Sequence, residues 1–143
     1  MHLLPLGAAL RSRLSDLLAL AAGFTPADGV RAELDPGRIA LRDATNEVAD
    51  AVSDLAAALP AELERRFRPI ETHFSVLRGA VLKLGRVPGP EDRDGGRWQR
   101  EAARSELRTA ARGMIYVLDG LERWFRAKRV AITGQPKRGN PGG

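Results

Sequence analysis

The stretch LERRFRPIETHFSVLRGAVLKL, residues 63–84, decides how this chain folds. Leu63, Phe67, Ile70, Phe74, Leu77, Val81 and Leu84 recur at spacings of 4-3-4-3-4-3. Such a run is the apolar seam of a helix that packs lengthwise on another helix. Its match lies downstream, where Leu107, Ala111, Met114, Leu118, Leu121 and Phe125 repeat at 4-3-4-3-4. Between the two seams, residues 85–96 are a loop of Gly, Pro and charge. Two long seams joined by a short loop predict an antiparallel helix pair. Pro69 falls inside the first seam and predicts a kink or a restart there, because proline cannot donate to the carbonyl four residues back.

Working outward, Val48, Val52, Leu55 and Leu59 form a seam on the preceding helix, which starts near Asp43. Pro60 separates it from the next, whose first turn is rich in Glu. At the N-terminus, Leu6, Leu10, Leu14, Leu17, Ala21 and Phe24 predict a helix over residues 5–22, with Pro5 in the first turn and Gly23 at the stop. Ala19-Leu20-Ala21 has the small residues of a signal cleavage site. No basic residue precedes the apolar stretch, however, and Arg11, Arg13 and Asp16 interrupt it, so a helix of a cytoplasmic protein is expected. Val30, Ala32 and Leu34 alternate with Arg31 and Glu33, and Ile39 and Leu41 follow Asp35-Pro36-Gly37. This reads as a short β-hairpin over residues 30–42 or as an irregular connector. The last helix is expected over residues 97–131, with a flexible basic tail at 133–143. The expected fold is all-α: a single helical domain over residues 1–132, a small bundle of antiparallel, coiled-coil-like long helices.

At 143 residues, with 43% hydrophobic and 29% charged residues, the chain has room for one core. No apolar run reaches the ~18–20 residues of a transmembrane helix. With no Cys and only His2 and His73, thiolate chemistry has no material and a His-based metal site almost none, so no metal and no cofactor are expected. There is no P-loop, no GxGxxG and no GxSxG, and Glu62/Glu64 and Glu91/Asp92/Asp94 have no metal-loop spacing. An enzyme is not expected.

Charge is the other clue. Arg supplies 20 of the 23 basic residues, a bias that GC-rich bacterial coding produces whatever the function. The distribution says more than the total of +5: residues 1–60 carry five Arg against eight acids, while residues 61–143 carry eighteen basic residues against ten acids. Arg97, Arg104, Arg108 and Arg112 fall on one flank of the last helix, and like charges four residues apart repel by about 0.2–0.5 kcal/mol per pair. A phosphate backbone or an acidic partner would relieve the row. So would a solvated ladder in which Glu101, Asp119 and Glu122 neutralise their neighbours on the same helix. Farther on, Arg123, Trp124, Arg126, Lys128 and Arg129 cluster with Lys137 and Arg138, where cations suit a helix C-terminus and a Trp beside Arg suits stacking on a base or a partner surface. Trp98, at the helix start, is expected to be a structural anchor.

The sequence therefore predicts a non-enzymatic interaction or assembly protein, a small accessory subunit that meets a protein partner or a second copy through its apolar seams. The alternative is non-specific nucleic-acid binding by the basic end. The element Arg68-Pro-Ile-Glu-Thr-His73 resembles the R-x4-6-H element of HEPN-type ribonucleases, small all-helical proteins. The resemblance covers six of 143 residues, and Pro69 stands where that family often has a polar residue. It implies that Arg68 and His73 would act together on a scissile phosphate and its 2′-hydroxyl.

Overall fold

The computed structural model describes residues 3–92 and 94–138, with side chains described through Lys128. Four α-helices follow one another: α1 (Leu3–Gly23), α2 (Pro36–Ala58), α3 (Glu64–Leu84) and α4 (Arg97–Arg138). Each packs antiparallel on its neighbours. Arg13 of α1 faces Glu47 of α2 at 3.6 Å, Lys83 of α3 meets Glu106 of α4 at 3.1 Å, and Lys128 of α4 lies 3.8 Å from Glu62, just before α3. Arg11 of α1 reaches Glu122 of α4 at 2.7 Å and closes the ring. The result is an up-down-up-down bundle in which α1 and α3 run one way and α2 and α4 the other.

The seams point inward as their spacing predicts. Leu63, Phe67, Ile70, Leu77, Val81 and Leu84 are buried against Leu107, Ala111, Met114, Leu118 and Leu121, with Leu10, Leu14 and Leu17 of α1 and Val48, Val52 and Leu55 of α2 completing the core. Each fully buried Leu contributes about 1.5–3 kcal/mol relative to exposure, so these stripes carry most of the favourable burial. Helix α3 runs unbroken through Pro69 and gives up only the bond that Pro69 cannot donate to Arg65. Gly113 sets the spacing of α3 and α4. The His73 ring lies directly over it, close enough that a Cβ at Gly113 would overlap the imidazole. Gly7 does the same between α1 and α4, beneath the Glu122 carboxylate and Leu118.

Four sequence expectations are corrected. Residues 30–42 form no hairpin: a 3-10 turn spans Ala32–Leu34, and α2 begins at Pro36 rather than near Asp43. Asp35-Pro36-Gly37 is a helix start. Asp35 is the N-cap and accepts from the Gly37 backbone N–H at 2.9 Å, while Pro36 occupies the first turn, where its missing N–H costs nothing. The last helix does not stop at residue 131 but runs to Arg138, so it overlaps the tail expected at 133–143. Trp98, a residue 72% exposed, is no side-chain anchor among the described residues; its backbone N–H donates to Asp94.

Two aspartates fasten the loop end of the bundle. Asp35 accepts from the Ala27 N–H at 3.2 Å and pairs with Arg38 at 2.9 Å. Asp94 accepts from the Trp98 N–H at 2.7 Å and from the Gly96 N–H at 3.2 Å. Chiefly the Ala27 N–H holds the Asp35 carboxyl below the ordinary value of 3.8, against the opposing effect of burial. The Trp98 N–H does the same for Asp94. A carboxyl depressed in the folded chain stabilises it above the unfolded pKa, and that contribution is lost as pH falls through the folded value. Urea denaturation should therefore show stability falling as pH drops below about 4, with Asp35→Asn and Asp94→Asn each flattening the slope. Gly113→Val should destabilise by about 1–3 kcal/mol in the same assay, because the branched side chain drives the His73 ring out of its seat.

Candidate interaction face on the last helix

Helix α4 carries most of the residues that the sequence marks as candidates, and the bundle sorts them into three groups. Arg104 belongs to the first. Its guanidinium reaches back to the end of α1, where Nε donates to the Ala21 carbonyl at 2.9 Å and Nη2 donates to the Phe24 carbonyl. Its third nitrogen pairs with Glu101, and the side chain is only 12% exposed. The last carbonyls of a helix lack intrahelical donors and carry the negative end of its dipole, so Arg104 is a cap supplied from a distant part of the chain. Arg38 does the equivalent for α3, with Nε donating to the Gly85 carbonyl at 2.6 Å.

Trp124 and Lys128 form the second group, on the α3 flank. The Trp124 ring is half-buried against the core, and Lys128 Nζ lies 5.1 Å from its centroid while also reaching Glu62. Through Glu62 the pair is tied to the start of α3.

The third group points outward. Arg108, Arg112, Arg123 and Arg126 are exposed and make no ion pair among the described residues. The acids expected to neutralise them are turned elsewhere. Asp119 and Glu122 both accept from Arg11 of α1, and Glu122 is buried there. Burial works against the Arg11 charge, but the hydrogen bonds to Asp119 and Glu122 outweigh it, so the guanidinium is held above its ordinary value. Glu101 is held by Arg104 and Glu106 by Lys83. Of the intrahelical ladder only the Glu101–Arg104 pair forms; contacts to other helices draw Glu106, Asp119 and Glu122 away, and Arg108, Arg112, Arg123 and Arg126 are left without an acid among the described residues.

Two exposed aromatics share this face. Tyr116 is 75% exposed, and at about 100° per residue it lies on the same outward line as Arg112 and Arg123. Trp98 lies on that line too, five turns away, or about 27 Å along the helix. Sequence reading missed Tyr116 as a surface residue. The signal was there, because residue 116 falls on the side of the helix opposite the Leu107–Leu118 seam. The side chains of Arg129, Lys137 and Arg138 lie outside the described residues.

Arg68 and His73 are not brought together. Five residues apart on α3, they diverge by about 140° around the axis. His73 faces Gly113 of α4, while Arg68 lines a shallow cavity with Leu59, Glu64 and Glu71 toward α2. Among the described residues no three His, Asp or Glu side chains converge as a metal site, and no helix is long and apolar enough to cross a membrane.

The sorting of the arginines has a measurable consequence. Arg104→Ala should cost about 1–3 kcal/mol in urea denaturation, because it orphans the Phe24 carbonyl and leaves the Ala21 carbonyl only the long 3.4 Å bond from the Phe24 N–H, and Lys should restore little of it without the planar fork. Arg108→Ala and Arg112→Ala should change stability by less than about 0.5 kcal/mol. Comparison of the chain with protein-family models, curated proteins and solved structures returns no match.

Proposed function

We propose that this chain is a non-enzymatic accessory protein that docks through the outer face of α4 onto a polyanion, with nucleic-acid phosphates as the partner chemistry. One observation carries the reading. Arg108, Arg112, Arg123 and Arg126 have no acidic partner among the described residues, because Asp119 and Glu122 are committed to Arg11. Four like charges along one helix repel, and a phosphate backbone relieves that repulsion while releasing its counterions. Tyr116 and Trp98 add stacking surfaces on the same side, which suits single strands, since every base offers a π-face. The apolar seams first expected to meet a protein partner or a second copy are occupied inside the bundle. A partner is therefore left with the outer surface. A cytoplasmic setting fits this reading.

Fluorescence anisotropy with short single- and double-stranded oligonucleotides tests it. Affinity should fall linearly on a log–log plot against salt, and Arg112→Ala with Arg123→Ala should make that slope shallower by about two. Tyr116→Ala should weaken single-strand binding by about 1–3 kcal/mol. Absence of binding at low salt, or binding indifferent to these residues, would sink the proposal.

A further inference from the structure

Helices α2 and α3 leave an open groove of about 350 Å³ between them, on a side of the bundle distinct from the outer face of α4. Its floor is apolar but nearly closed, made by the outer edges of the core residues Leu41 and Val81, and Leu82, 72% exposed, forms one wall and offers most of the open apolar surface. Arg38, Arg42 and Arg78 stand around it, and no carboxylate is among the lining residues. The antiparallel register brings these cations together. Arg38 is fixed at one end by its bonds to Asp35 and to the Gly85 carbonyl. Arg42 lies one turn along α2, and Arg78 lies two turns back from Gly85 on α3, so both open on the same stretch. Arg78 sits over the Phe74 ring at 4.9 Å and makes no ion pair among the described residues. The Asp43 carboxylate touches Arg42 only at 3.4 Å, from the solvent side.

An apolar trough with guanidiniums on its rim has the two halves of an amphiphile's complement. A free inorganic anion would find the charge but gain nothing from Leu41, Val81 and Leu82. An amphipathic helix would need an apolar stripe several turns long, whereas the exposed apolar surface here is one trough at the lower end of the ~300–1,000 Å³ of small-ligand sites. We infer that the groove between α2 and α3 binds a single-chain carboxylate amphiphile, its head between Arg42 and Arg78 and its chain along Leu41, Val81 and Leu82.

Isothermal titration of the intact chain with dodecanoate, below its micelle concentration, tests this. One saturable site is expected. Dodecanol should bind at least tenfold more weakly and acetate should not bind. Arg42→Gln with Arg78→Gln, and separately Leu82→Asp, should each weaken dodecanoate at least tenfold with an unchanged thermal melt, since all three side chains are exposed. Oligonucleotide binding by Arg78→Gln should match that of the parent chain, which separates this site from the α4 face. No saturable heat, equal affinity for dodecanol, or indifference to all these substitutions would overturn the inference. So would sedimentation showing an oligomer that Arg78→Gln converts to monomer, because a second copy would then cover the groove.

Discussion

The antiparallel pairing of α3 with α4 is the constraint from which the rest of the bundle follows. Burial of the two 4-3-4-3 seams supplies a large apolar gain over a short sequence separation, with one loop to close. The seams alone leave the helices free to sit at several distances. Gly113 removes that freedom, because the His73 ring seats directly over its Cα and brings the two backbones close. His73 is thereby a packing residue, and the same seat turns it away from Arg68.

Polar contacts at the loop end act on a different problem. Helices α1 and α3 both end there, with unpaired carbonyls and the negative ends of their dipoles close together. Arg104 and Arg38, each from the early turns of a helix running the other way, supply the missing donors. Asp35 and Asp94 serve the adjacent helix starts. Each loop is therefore held by bonds that cross between helices, which makes the loop end a rigid frame for the start of α4.

Helix pairing also decides how charge is presented. By sequence, Asp119 and Glu122 belong with Arg112, Arg123 and Arg126. In the bundle they belong to Arg11, a residue more than one hundred positions away in the chain. Interhelical pairing of the acids leaves the guanidiniums of α4 concentrated on one face beside Tyr116. The same logic holds on α3, where Arg78 has an aromatic ring for company but no acid among the described residues.

Spacing alone determined the all-helical class, the antiparallel pairing of the two long seams, the break at Pro60 and most of the large core residues, because burial repeats with the helix period and that period is written in one dimension; Leu3, Leu41 and the small core residues Ala44, Ala51, Ala80, Ala103 and Ala110 fall outside the seams read from spacing. The sequence also held the correct reading of Asp35-Pro36-Gly37, since an N-cap Asp followed by Pro is a helix start; the alternation of Val30, Ala32 and Leu34 drew the reading toward a hairpin instead. Only the tertiary structure decided the fate of the charged residues. Whether an arginine caps a distant helix, pairs with a distant acid or faces solvent depends on which helix lies beside it, and no local pattern separates Arg104 from Arg108. The groove between α2 and α3 is likewise a property of how two helices lie together, so its guanidinium rim became visible only once residues from positions 38–46 and 78–85 met across it.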